Sequence, residues 1–119
     1  MNNGPWGTVD IQISTIDISS DAKVGSAVPC EGRRLKGIEA PTSWTTSDVT
    51  FLGSTDGGVT FRTLKDEDNG TLTCAGVVAD SINYLLPATP LPMGLTHLKV
   101  RSTTDQAADR DVRVIFEVM

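Results

Sequence analysis

The sequence predicts an all-β domain, an antiparallel β-sandwich that is jelly-roll-like and has about eight strands. Three observations carry that expectation. Short runs of β-formers recur along the chain with turn residues between them. No window sustains the 3.6-residue apolar period of a helix, and the strand–helix alternation of a parallel sheet is missing. Finally, Val49 to Leu64, VTFLGSTDGGVTFRTL, sets two such runs on either side of Asp56-Gly57-Gly58, which is the pattern of a hairpin. Val49, Phe51, Val59 and Phe61 share one face only if the loop is odd in length. A three-residue loop, Asp56 to Gly58, with Gly58 left-handed and a G1 bulge, satisfies this.

Met1 to Thr8, rich in Asn, Gly and Pro and carrying Trp6, reads as an extended arm ahead of a single domain over residues 9–119. Val9, Ile11 and Ile13, then Ile16 and Ile18, keep period two on either side of a phase change at Ser14-Thr15. That predicts one long strand with a bulge or bend. Ser19 to Ser26 is turn-like, and Ala27 to Cys30 leads into a strand over Arg33 to Ala40. There Leu35, Ile38 and Ala40 face a core around Gly37, and Pro41 ends the strand or sets it at an edge. Past the hairpin, Asp66-Glu67-Asp68-Asn69-Gly70 predicts a tight solvated turn, followed by Thr71 to Cys74 and by a further strand over Val77 to Tyr84. Leu85 to Gly94, LLPATPLPMG, is too proline-rich for a helix or a central strand and predicts an ordered loop across the domain. Thr96, Leu98 and Val100 alternate with His97, Lys99 and Arg101 as a strand. Val112, Val114, Phe116 and Val118 alternate with Asp111, Arg113, Ile115 and Glu117, giving a last strand with a clear apolar face.

Composition narrows the function classes. A chain of 119 residues has room for one core. Lys+Arg 10 against Asp+Glu 15 gives a net charge of -5, and the basic residues are scattered, so nucleic acid is not an expected partner. No segment approaches the ~20 apolar residues of a membrane span, and Met1 to Pro5 has no basic or apolar signal region. The protein is therefore expected to be made and kept in the cytosol until it is used. Cys30 and Cys74 lie far apart with no zinc-like spacing. Two buried free thiols are the simpler reading, and a disulfide closing a long loop is the other.

No constellation of a catalytic site stands out. The acidic cluster at Asp66 invites calcium, yet it lacks the alternating ligand spacing and the later bidentate Glu of an EF-type loop. His97 is the only histidine, sits on the outward phase of its strand, and has no Gly-x-Ser-x-Gly partner segment. No pair of carboxylates is singled out for glycoside hydrolysis. The chain is thus expected to be no enzyme and to need no cofactor or metal. Trp6, Trp44 and Tyr84 raise a carbohydrate-binding alternative, with Trp44 better explained by packing. Trp6, in a segment with little core of its own, is a candidate anchor into a neighbouring subunit or packs on its own domain. Leu91 and Met93, in a loop more apolar than solvent favours, are candidate interface residues if that loop does not fold over the sandwich end.

One set of residues carries a family resemblance. Trp44, Val49-Thr50-Phe51, Asp56-Gly57-Gly58-Val59-Thr60-Phe61, the acidic turn ending in Gly70, Leu98-Lys99-Val100-Arg101-Ser102, Asp105-Gln106 and Ala108-Asp109-Arg110 together resemble small β-sandwich proteins of tailed-bacteriophage particles. The likeness covers roughly Cys30 to Phe116, and the Asn/Gly/Pro arm has no counterpart in it. It implies a virion structural protein, foremost a capsid cement or decoration protein on the shell exterior, with the major capsid protein as partner and a homotrimer as its form. Head-tail joints, tails and fibres carry related sandwiches and are the alternative. In this likeness Arg110 is a structural ion-pair partner of Asp105 or Asp109.

Overall fold

The computed structural model describes residues 8–66, 68–85 and 94–118. Among them are nine strands and no helix: β1 (Thr8–Ile16), β2 (Val28–Pro29), β3 (Arg33–Glu39), β4 (Ser47–Ser54), β5 (Arg62–Thr63), β6 (Thr73–Val77), β7 (Ile82–Tyr84), β8 (His97–Ser102) and β9 (Arg110–Val118). Pairing runs from the outside of the sequence inward. β1 pairs with β9, β2 with β8, β3 with β7, and β4 with both β5 and β6, all antiparallel. The chain is in effect one long antiparallel ribbon rolled over two sheets. Cross-pairing of β9 with β3 and of β8 with β4 then closes the sheets in the order β1-β9-β3-β7 and β2-β8-β4-β5, with β6 also on β4. This is the topology of a jelly roll, so the expected sandwich is present. For brevity the first sheet is called A and the second B.

Alternation places the core between the sheets. Val112, Val114 and Phe116 of β9, Leu98 and Val100 of β8, and Val49 and Phe51 of β4 are all buried on the facing sides. Each side chain of this size stabilises by about 1.5–3 kcal/mol on full burial. Leu35 and Ile38 have opposite parity, yet both face inward. The register of β3 on β9 shifts between Leu35 and Gly37, and this bulge swaps the faces of the strand midway. Trp44 closes one side of the core, buried, with its Nε1 donating to the Val77 carbonyl at 3.1 Å. Leu85 and Leu95, at the two ends of the proline-rich segment, pack on the core, while residues 86–93 lie outside the described part.

Three sequence expectations change. β1 is not bulged at Ser14-Thr15, since its register on β9 runs unbroken from Thr8 to Ile16. The phase change instead marks a change of face: Ile16 points into the core, whereas Val9, Ile11 and Ile13 point out. The Val49–Leu64 hairpin forms with another register. Leu52 faces Thr63 and Gly53 faces Arg62, so the loop spans residues 55–61 and Phe51 shares its face with Leu64 rather than with Phe61. The cause is Asp56, whose Oδ1 accepts from Ser54 Oγ (2.7 Å), Thr60 N (2.9 Å) and Val59 N (3.2 Å) and wraps the loop around itself. Gly58 is left-handed as expected, with φ 89, and so is Gly57, with φ 80. Lastly, the strand expected over Val77 to Tyr84 is broken at Asp80, which adopts φ 57 where the chain passes from sheet B to sheet A.

Candidate interaction surface

The outer face of sheet A is where the chain departs from an ordinary sandwich. Because the register is fixed, the outward residues of its four strands line up in rows across the sheet. The middle row is Ile11, Ile115, Gly37 and Tyr84. On one side of it lie Ile13, Arg113, Glu39 and Ile82; on the other lie Val9, Glu117 and Arg34. A solvated sheet face should be polar here, by the in/out alternation of antiparallel sandwiches. Instead Val9 is 65% exposed, Ile11 45%, Ile13 48%, Ile82 56% and Tyr84 67%. Singly exposed apolar residues are normal, but here they gather on the two edge strands, β1 and β7, of one face, the kind of surface that serves for contact.

Charge on this face is balanced and ordered. Arg113 Nη1 lies 3.5 Å from Glu39 Oε1 across β9 and β3, and Arg34 Nη1 lies 3.2 Å from Glu117 Oε1 across the same two strands. The two pairs run in opposite senses on either side of the apolar row. Gly37 sits in that row because nothing larger fits: a Cβ there would lie 2.3 Å from the Asn83 carbonyl oxygen of β7. A shallow depression of about 330 Å³, lined by Ile13, Glu39, Pro41, Asp80 and Arg113 among others, continues the face at one end.

The outer face of sheet B is different in kind. His97, Lys99 and Arg101 of β8 stand there beside Thr50 and Leu52 of β4. Lys99 Nζ lies 4.2 Å from the centroid of the Phe61 ring, so this aromatic is occupied by a cation of its own chain. His97 is half-buried on the outward phase, as expected, with Nδ1 3.1 Å from Thr96 Oγ1. A second depression of about 300 Å³, lined by Gly53, Asp56, Arg62 and Leu95 among others, opens beside the Asp56 loop. Hydrogen bonding from Thr60 N and Ser54 Oγ holds the Asp56 carboxyl down to about 2.

Most other residues that the sequence singled out have structural partners. Arg110 does not pair with Asp105 or Asp109. Its Nε donates to Gln106 Oε1 at 3.2 Å, while Asp105 meets Lys23 at 3.9 Å and Asp109 accepts from Ile18 N at 3.0 Å. Gln106 is the residue that the sequence reading missed. Its amide accepts from Thr45 N (2.9 Å) and donates to Thr45 O (3.0 Å) and Ser102 Oγ (3.0 Å), a buried splice between two connections. Only its place between Ser102 and Arg110 in an otherwise polar segment could have flagged it. Cys30 and Cys74 are both free and buried, and desolvation pushes each thiol up to about 11. Asp66 Oδ1 accepts from Asp68 N and Gly70 N, both at 2.9 Å, which makes the acidic segment a turn. Among the described residues no three His, Cys, Asp or Glu are grouped to hold a metal, and no helix is long and apolar enough to cross a membrane. Trp6, Leu91 and Met93 lie outside the described residues.

No protein-family model, curated protein or solved structure matches this chain.

Proposed function

We propose that this chain is a non-catalytic structural protein of a tailed-phage particle, acting as a capsid cement or decoration protein on the shell exterior. The observation that carries the reading is the apolar outer face of sheet A, which in water is an unfavourable surface and in an assembly a contact surface. The jelly-roll order and the residue pattern from Trp44 to Arg110 favour a virion role over other assemblies. Fold alone does not assign function, so the weight rests on the surface.

The mechanism is mechanical. Several modest contacts from one oligomer, each weak alone, bridge neighbouring major capsid subunits, and their shared tether makes detachment of all of them together rare. The glycan-binding alternative asked for Trp6 or Trp44 exposed beside polar groups; Trp44 is buried with its N–H satisfied, and Trp6 lies outside the described residues.

Purified protein added to shells that lack it tests the proposal, with bound copies and the thermal opening temperature of the shell followed together. Saturation at many copies per shell with a raised opening temperature is the expected result. Binding at a handful of sites moves the protein to the head-tail joint or tail. Absence of binding removes the virion surface as its place.

A further inference from the structure

The charge pattern on sheet A says what covers it. Arg113 and Glu39 on one side of the apolar row, and Glu117 and Arg34 on the other, form a two-by-two checkerboard of alternating sign on β9 and β3. A checkerboard is self-complementary. Consider a two-fold axis lying in the plane of the face and crossing the strands along the Ile11–Ile115 row. It brings Arg113 opposite Glu117 of a second copy, Glu39 opposite Arg34, and Ile13 opposite Val9. An axis parallel to the strands, between β9 and β3, does the same by other pairs: Arg113 meets Glu39, Glu117 meets Arg34, and Ile11 meets Tyr84. Each of these four charges meets its opposite and apolar residues meet one another. This is the symmetry that an isologous interface demands of one patch.

We propose that the outer face of sheet A is a homodimer interface, packed face to face on the same face of a second copy. The inference rests on reading the chain as an assembly protein and names the partner at that surface. Both two-folds keep the strands of the facing sheets aligned, the common geometry of sheet-on-sheet packing. The outer face of sheet B lacks this match: a two-fold between β8 and β4 would set Lys99 against Leu52 and Arg101 against Thr50, with a carboxylate for neither. The proposal names a dimer at this face, where the family resemblance implies a trimer.

Size sets the strength. Four strands at roughly 4.8 Å spacing and three rows at roughly 7 Å give a flat footprint on the order of 400 Å² per copy. That is about 800 Å² in all, below the ~1,000 Å² that a stable specific interface clears, so the pairing is weak and concentration-dependent.

Sedimentation of the full chain between about 1 and about 300 µM is the test, since this range spans the affinity expected of a small interface. The expected result is a monomer–dimer equilibrium that Ile11→Lys weakens at least about tenfold. Glu39→Arg with Glu117→Arg makes all four paired positions positive, and Arg34→Glu with Arg113→Glu makes all four negative. Each double variant is expected to be monomeric alone, and an equimolar mixture to form a heterodimer. Near-UV circular dichroism checks that the variants fold, and Ile11→Lys disturbs neither ion pair. A wild-type monomer throughout the range overturns the proposal, as does a dimer indifferent to Ile11→Lys. A monomer that still saturates shells overturns this interface and leaves the cement role standing, whereas a dimer that ignores shells does the reverse.

Discussion

Replacing Gly37 with alanine should unfasten the edge of sheet A. The added Cβ would lie 2.3 Å from the Asn83 carbonyl oxygen and 3.0 Å from the Tyr84 Cα, both backbone atoms with no rotamer to change. Relief requires β7 to retreat by about 1 Å to reach an ordinary contact. The bonds that clasp β7 from both ends are Ala40 N to Ser81 O at 2.9 Å and Leu85 N to Lys36 O at 2.8 Å. The same retreat carries both past the ~3.5 Å at which such bonds cease to count. Losing two bonds at about 1 kcal/mol each, with residual overpacking strain of about 1 kcal/mol or more, sums to about 3 kcal/mol. For a domain of this size that lowers the thermal midpoint by roughly 10 °C. Urea unfolding gives the free energy, and amide exchange over β7 gives the place. A loss below about 0.5 kcal/mol with β7 still protected would refute the argument, because it would mean that the bulge at Lys36 absorbs the methyl without moving the strand. Detachment of β7 also removes Tyr84 and Ile82 from the face, so the variant should self-associate less than the wild type.

Two further outcomes follow from the titrating groups. Asp56 has its folded pKa depressed to about 2 from 3.8, so its contribution to loop stability is present above 3.8 and is lost as pH falls toward 2; the gap in thermal midpoint between wild type and Asp56→Asn should close over that window and stay constant above it. Cys30 and Cys74, buried and raised to about 11, should be inert to a thiol reagent at neutral pH in the folded protein and should both react once denaturant unfolds it.

The sequence made the fold class legible because period-two alternation survives wherever one face is buried and the other is wet. The last strand shows this best: Val112, Val114 and Phe116 are buried as their spacing requires. Where both faces carry apolar residues, the same signal turns ambiguous. Val9, Ile11 and Ile13 with Ile16 look like one apolar stripe interrupted by a bulge, when they are an outward stripe and a single inward residue at the end of a regular strand. That ambiguity hid the candidate surface, whose other members, Ile115, Ile82 and Tyr84, reach it from distant segments that only the register aligns. The hairpin is present, and its register differs for another reason. Parity arguments assume the shortest loop, and the Asp56 side chain satisfies so many backbone amides that a wider one wins. Arg110, an ion-pair partner of Asp105 or Asp109 by resemblance, donates instead to the amide of Gln106 four residues before it, and that amide also holds Thr45.

Pairing the outermost strands first with last has a kinetic side. β9 stands between β1 and β3 in sheet A, so neither of those can complete its ladder until the latest of the described strands has been made. The chain must hold nearly all of its length in a loosely collapsed state before its longest ladder can zip. High contact order of this kind places folding in the millisecond-to-second range. Throughout that interval Val9, Ile11 and Ile13 sit on an unpaired strand with a bare apolar side, so crowding during synthesis sets a premium on low local concentration or on a chaperone. The face that the folded protein is proposed to offer its own second copy is thus the one most open to misassociation beforehand.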